Sequence, residues 1–317
     1  MLFFTVAGQF INIDISKPSM TLQTIGFIGL GNMGYPISVN LLKAGYRLVV
    51  HDILEDRVKK LIEQGASAAS TPKNLAESAD IVMTSLPTPD ALEQVMAGKD
   101  GVLEAGREEL VVVMLDTISP TLARRLAGIA AEKGVKVLDA PVSGGPYMAR
   151  EAALTIMVGG EKEVFEKCRP VLEKIGRHIF YIGGAGSGAV VKLVNNLLSL
   201  GNVALMCEAI ILGGMAGVDG KTLYEVLSKS TGRSFALEYK LPNIIAKRRF
   251  DGGFAIDLAC KDLGIISDLA KELGYPLFIG SLVEQLYKLA RAMGLGREDH
   301  TAVVKVFENL ADLTVEF

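Results

Sequence analysis

Apolar and polar positions follow two different rhythms along this chain, and the change falls near residue 183. Before that point short apolar runs recur between amphipathic stretches of helical length. Ile25 to Ile28, "RLVVHD", "DIVMTSL", "LVVVML", "KVLDAPV", "LTIMVGG" and "HIFYIG" are short apolar runs and read as strands. Thr121 to Lys133 reads as a helix, and so does the segment after Gly34, with Ile37, Leu41 and Leu42 on one face and an end near Gly45. Strands alternating with helices predict an α/β fold on a doubly wound, mostly parallel sheet. After the glycine-rich run Gly183 to Gly188 no strand pattern returns, and amphipathic helices continue to the end. The expected organisation is a sheet domain over 21–183 and an all-α domain over 184–317.

The first stretch, "MLFFTVAGQFINIDISKPSM", begins apolar but has no basic n-region and no small-residue cleavage site, and Asp14 and Lys17 interrupt it. The first strand does not need it. Residues 1–20 are therefore read as an N-terminal extension outside the native fold, with Met20 as the alternative start.

Composition narrows the function classes. At 317 residues, half of them hydrophobic, the chain is long enough for two cores. A formal net charge of -3 and the absence of a basic stripe argue against nucleic acid as a partner. Lys247-Arg248-Arg249 is the one basic triplet and reads as a solvated helix end. Cys168, Cys207 and Cys260 are widely spaced with no CxxC, which predicts reduced thiols and a cytoplasmic location. His51, His178 and His300 are scattered, so no metal site is expected, and no membrane span either.

Three motifs carry candidate chemistry. The first is G-x-G-x-x-G at Gly29, Gly31 and Gly34, which follows a strand and opens a helix; Asp52 ends the next strand. Gly29 suits a tight turn, Gly31 a close approach to a pyrophosphate, and Gly34 close helix–strand packing. With Leu30, Asn32 and Met33 they form the candidate loop of a Rossmann-type dinucleotide site. Asp52 would accept bonds from ribose hydroxyls and repel a 2'-phosphate, which favours NAD over NADP; Arg57, five residues on, softens that preference. A glycine-rich turn without a ligand is the bland alternative.

The second motif, "DAPVSGGP", sets Ser143, Gly144 and Gly145 after a strand, where a hydroxyl and bare N–H groups could cradle a carboxylate. The third is "AVVKLVNNLLSL", an apolar helix with Lys192, Asn195 and Asn196 on one face. A partly desolvated lysine has a lowered pKa and can exchange a proton with a substrate hydroxyl. A lysine snorkelling to the surface, with its amides on nearby backbone, is the rival reading.

Together "GFIGLGNMGYPISVNLLKAG", "DAPVSGGPYMAREAALTIMVGG", "GAGSGAVVKLVNNLL" and "FAIDLACKDLGI" resemble the β-hydroxyacid dehydrogenase family from about residue 22 to 312. The resemblance implies that Lys192 is the catalytic lysine and that Ser143, Gly144, Gly145 and Asn196 bind substrate. It puts Lys261 near the nicotinamide end of the cofactor with Asp262 holding it, Leu86 and Pro87 along the cofactor cleft, and Thr117 near the nicotinamide. It also implies that the helical domain closes the site and supports a homodimer or homotetramer.

The chain departs from the pattern twice. Met114, Leu115, Asp116 and Thr117 stand where relatives commonly read Asp-Met-Ser-Ser, so the extra carboxylate of Asp116 is expected to disturb cofactor contacts. Ala152-Ala153 stands where relatives often have glycine, a change expected to alter only a turn.

"KSTGRSFALEYK", "FAIDLACKDLG" and "RAMGLGREDHTAVVKVFE" resemble the members of the family that act on 2-(hydroxymethyl)glutarate. Arg233 would then be a second carboxylate anchor, since a guanidinium fork matches that group; it could equally cap a helix or pair with Glu238. The expected substrate is a small 3-hydroxy carboxylate of the 2-(hydroxymethyl)glutarate or 3-hydroxyisobutyrate kind. Reduction of tartronate semialdehyde is the alternative, and a non-catalytic NAD-binding assembly protein is a remoter one. Imine-reducing relatives tend to replace the lysine, and a 6-phosphogluconate type needs a longer helical domain.

Overall fold

The computed structural model describes residues 23–314, so the reading of residues 1–20 and of Met20 lies outside the described residues. The first part of the chain runs β1 (Thr24–Ile28), α1 (Gly34–Lys43), β2 (Arg47–His51), α2 (Glu55–Ile62), β3 (Ser67–Ala68), α3 (Pro72–Ser78), β4 (Ile81–Thr84), α4 (Pro89–Ala97), β5 (Val111–Met114) and α5 (Pro120–Ala131). It continues with β6 (Lys136–Asp139), β7 (Val142–Ser143), α6 (Gly145–Arg150), β8 (Leu154–Gly159), α7 (Lys162–Leu172) and β9 (Gly176–Gly183). The strands form one sheet in the order β3-β2-β1-β4-β5-β6-β8-β7, with β9 beside β8. Pairing is parallel except where β8 meets β6 and β7. This is the expected doubly wound architecture, and the order in which strands are added reverses between β1 and β4, where such sheets open a crevice.

Local sequence explains the element starts. Thr71-Pro72, Thr88-Pro89 and Ser119-Pro120 open α3, α4 and α5: each hydroxyl accepts an N–H of the first turn, and the proline occupies a position whose N–H has no helical acceptor. β4 and β5 are buried throughout because helices cover both faces of the sheet. Their side chains alternate between two cores: Met83 and Val113 face one with Phe27 and Leu138, while Val82 and Val112 face the other with Leu75 and Leu126.

Beyond β9 the described residues form no further strand. They build α8 (Ser187–Met215), α9 (Gly220–Leu227), a π-helical segment at Ala236–Ile245, α10 (Ile256–Glu272), α11 (Phe278–Ala290) and α12 (Val304–Ala311). Pro242 sits inside the π segment, where a missing N–H and a bulky ring favour a wider turn over a regular α-helix. Leu200, Val203, Cys207, Leu241, Leu263, Tyr287 and Phe307 are part of one shared core. α8 has the length and hydropathy of a membrane span, but Leu193, Val203, Cys207 and Ile210 are spent on that core. It reads as the central helix of a globular domain.

Two refinements concern the ends of predicted strands. "KVLDAPV" is β6 and β7 separated by Ala140-Pro141, and Ser143 ends β7, paired with Thr155, rather than sitting in a free loop. Ala152 adopts φ +49, so the turn where relatives often carry glycine keeps a left-handed backbone here with an alanine in it.

Candidate active site

The helix carrying Lys192 is fixed by a residue that the sequence motifs did not single out. Asp139, at the carboxyl end of β6, accepts the N–H of Gly186 at 2.7 Å and of Ala189 at 2.9 Å. Its carboxylate therefore caps the start of α8 from another element, complementing the positive end of that helix. Gly159 and Gly188 leave room for it: a Cβ at Gly159 would lie 2.6 Å from Asp139 Oδ1, and one at Gly188 would lie 3.0 Å from Oδ2. Burial raises the Asp139 pKa, and the N–H bonds oppose that rise. The sequence signal was available, since an acidic residue closing an apolar strand must find donors. Its partners lie some fifty residues away and could not be named.

Lys192 comes one turn after this anchor. It is half-buried, and among the described residues its Nζ makes no hydrogen bond or ion pair. Burial pulls its pKa down to about 8; Lys261 pushes the same way and Asp262 opposes. Part of the ammonium population is thus a free amine near neutral pH.

Around it a polar relay joins the two halves of the chain. Asn195 Nδ2 lies 3.5 Å from Ser143 Oγ and 3.2 Å from Asn196 Oδ1. Asn196 is buried, and its Nδ2 donates to Asp262 Oδ2 at 2.6 Å. Asp262 Oδ1 lies 2.9 Å from Lys261 Nζ, which also donates to the Thr117 carbonyl at 3.1 Å. Lys261 and Asp262 therefore do stand together, and Ser143, Asn195, Asn196 and Thr117 belong to the same relay. Asn196 reaches Asp262 directly and Ser143 through Asn195, which the sequence placed on the same helix face without a role of its own. Beside Ser143, Gly144 and Gly145 have φ of +129 and +67, and a Cβ at Gly145 would meet nothing within 4 Å. The cradle is open on that side.

The dinucleotide fingerprint folds as its spacing requires. Gly29 has φ +91, and a Cβ there would meet the Ser85 carbonyl at 2.3 Å; one at Gly34 would strike the Gly29 carbonyl at 1.9 Å. Gly31 faces open space apart from Arg57 Nη1 at 3.9 Å, leaving room for a ligand's close approach. Among the described residues no side chain caps the start of α1 and no acid occupies its first turn; Tyr35 N–H is bonded to Gly31 O and Pro36 has none, so the N–H groups of Asn32, Met33 and Gly34 are the ones left for a phosphate. Asp52 accepts the N–H of Leu30 at 2.7 Å and of Leu54 at 2.8 Å, with Arg57 3.4 Å away. It is poised beside the loop for ribose hydroxyls. These residues fit a dinucleotide.

Asp116 departs from expectation. It points inward, is buried, and accepts the Thr84 hydroxyl and the Leu86 N–H, so it does not intrude on the cofactor face. Burial raises its pKa, against those two bonds and the charge of Lys261. Leu86 is half-buried and Pro87 exposed. Arg233 lies exposed, and its side chain makes no hydrogen bond or ion pair with Glu238 or with another candidate residue among those described. No group of metal-ligating side chains occurs among the described residues.

Two family models match consecutive parts of the chain: the NAD binding domain of 6-phosphogluconate dehydrogenase over residues 24–183, and the NAD-binding domain of NADP-dependent 3-hydroxyisobutyrate dehydrogenase over 186–307. The chain is 45% identical over 291 residues to 2-(hydroxymethyl)glutarate dehydrogenase of Eubacterium barkeri, covering 92% of this chain and 97% of that protein. It is 39% identical to an NAD-dependent L-serine dehydrogenase of Pseudomonas aeruginosa, covering 90% and 98%. Among solved structures, 3-hydroxyisobutyrate dehydrogenase of Mycobacterium tuberculosis with L-serine superposes with TM-score 0.83 at 32% identity, covering 90% of this chain and 99% of that one. Fold, cofactor crevice and relatives agree: the chain is an NAD-binding oxidoreductase acting on CH–OH donors and belongs to the 3-hydroxyisobutyrate dehydrogenase-like β-hydroxyacid dehydrogenases.

Proposed function

We propose that this enzyme interconverts a small 3-hydroxy carboxylate and its semialdehyde, with Lys192 as the general base in oxidation and the general acid in reduction. The observation that carries the reading is Lys192 itself: half-buried, without a partner at Nζ among the described residues and with its pKa lowered to about 8, on the same helix face as Asn195 and Asn196. A lysine of that kind is matched to proton transfer near neutral pH. When bound, NAD supplies the hydride acceptor. Gly29, Leu30, Gly31, Asn32, Met33, Gly34 and Asp52 would hold its adenosine and pyrophosphate, with Leu86, Pro87, Thr117 and Lys261 toward the nicotinamide. The Ser143 hydroxyl and the Gly144 and Gly145 N–H groups hold the substrate carboxylate. Neutral Lys192 takes the hydroxyl proton, and Asn196, tied to Asp262, keeps the wall of the substrate site in place. We divide the chain into a cofactor domain over 21–183 and a helical substrate and assembly domain over 184–317, a split supported by family models that meet between residues 183 and 186.

For the substrate we favour 2-(hydroxymethyl)glutarate, on the 45% identity to an enzyme of that name, with Arg233 as the anchor for the second carboxylate. L-serine is the second reading, supported by the serine dehydrogenase relative and the structural neighbour containing L-serine. We further propose a cytoplasmic homodimer or homotetramer. Val194, Leu198, Leu205 and Leu212 form an exposed apolar stripe along α8, which a second copy would cover. Light scattering on the purified chain checks the assembly.

The decisive assay is NADH formation over a panel of 2-(hydroxymethyl)glutarate, 3-hydroxyisobutyrate, L-serine and glycerate, with NADP in parallel. One strongly preferred acid with NAD is expected. Full turnover by Lys192→Ala would sink the assignment of the base, and equal rates with every acid would sink the diacid reading.

A further inference from the structure

The residue at the centre of the chain's clearest departure from its family pattern, Asp116, has a carboxylate with two donors and both come from one short stretch. Thr84 ends β4 and gives its hydroxyl; Leu86, two residues later, gives its backbone N–H. That stretch crosses the mouth of the crevice. Ser85 N–H donates to Ile28 O at 2.9 Å, and the Gly29 turn lies under it, with Leu86 Cδ2 3.0 Å from where a Gly29 Cβ would be. Leu86 therefore forms the wall facing the glycine turn, and the inward carboxylate fixes where the wall stands. The next residue, Thr117, lends its carbonyl to Lys261 across the domain boundary.

We infer that Asp116 is a positioning residue for the cofactor: it acts through Leu86, setting the width of the crevice between the Gly29 turn and the Leu86–Pro87 wall. The inference rests on the proposed placement of Leu86 beside the cofactor. A buried acceptor with two obligatory donors is a rigid support, because removing it strands both donors. The chemistry also distinguishes substitutions. An asparagine at 116 can still accept from the Leu86 N–H through its oxygen and donate through Nδ2 to the Thr84 hydroxyl, which rotates to accept. An alanine can do neither.

The test compares Asp116→Ala, Asp116→Asn, Thr84→Val and Leu86→Ala, reading the NADH dissociation constant by fluorescence together with KM for NAD and kcat. Asp116→Ala is expected to weaken NADH binding about tenfold, equivalent to ~1.4 kcal/mol, and to raise KM for NAD in parallel. Its kcat at saturating NAD should stay within about twofold. Asp116→Asn should bind within about twofold of the parent. A merely structural role would lower the active fraction and so kcat, with the dissociation constant unmoved. Normal NADH affinity in Asp116→Ala alongside weakened affinity in Leu86→Ala overturns the inference. Normal affinity in both overturns the placement of Leu86 instead. Should Asp116→Ala not fold, Thr84→Val, which removes one donor, decides: about threefold weaker binding supports the inference and unchanged binding overturns it.

Discussion

Replacing Lys192 by methionine should give a protein that is inactive and more stable. The fall of the lysine pKa from 10.5 to about 8 has burial as its largest cause. At ~1.4 kcal/mol for each factor of ten, the folded state carries an unfavourable term of roughly 3 kcal/mol whenever that lysine is charged. Below about pH 8 the lysine is charged in both folded and unfolded chains, so the term is present in full. Between about 8 and 10.5 the folded chain releases its proton first and the term fades; above that it vanishes. Methionine has a similar length and no charge, so Lys192→Met should gain about 2 to 3 kcal/mol at pH 7 and keep little of that gain near pH 10. Urea unfolding followed by circular dichroism at both pH values measures the difference, with NADH binding as a check on the fold. A variant no more stable than the parent at pH 7, or an equal gain at both pH values, would refute the reasoning.

Three further outcomes follow from the same geometry. Asp139→Ala should cost about 2 kcal/mol in urea melts with more than a tenfold loss of kcat, and Asp139→Asn roughly half as much, because the amide oxygen can still accept from one of the two backbone N–H groups while the amide nitrogen, itself a donor, meets the other; parental stability and kcat in the asparagine variant would contradict this. Ala152→Gly should raise thermal stability by about 1 kcal/mol with activity unchanged, since φ +49 strains an alanine and not a glycine. The pH profile of kcat/KM for oxidation should rise with a midpoint at or below about 8, where Lys192 loses its proton, and the reductive profile should fall over the same range; a flat profile from pH 6 to 9 would remove Lys192 from the chemistry.

The centre of the sheet was legible in the sequence because β4 and β5 are buried on both faces and read as continuous apolar runs, as in Val111–Met114. β3 was not, since Ser67-Ala68 is two exposed residues paired with β2 and carries no hydrophobic signal. The π segment was hidden for a different reason: Ala236–Ile245 has helical periodicity, and only the turn around Pro242 changes the winding. In the site, Gly29, Gly31, Gly34 and Asp52 could be named because their partners lie within one βαβ unit. Asp139 and Asp116 find their donors 47 and 30 residues away, so their roles exist only in the folded chain. Asn196 was legible as a polar residue on the right helix face, while its bond to Asp262 bridges 66 residues and was not.

The capped start of α8 has a mechanical consequence. The helix runs 29 residues from Ser187 to Met215, roughly 43 Å at 1.5 Å per residue. Lys192 lies only about 8 Å from the end that Asp139 clamps, while the far end, with Leu212 and Met215 exposed, lies at the surface of the helical domain. The helix has the geometry of a lever pivoted next to Lys192. A swing of about 5 Å at Met215 would displace Lys192 by about 1 Å, so the far end of the helix could shift while the side chain we propose as the base stays nearly still. Lever geometry of this kind would let one element follow a shift at its far end and hold the proposed catalytic position at once.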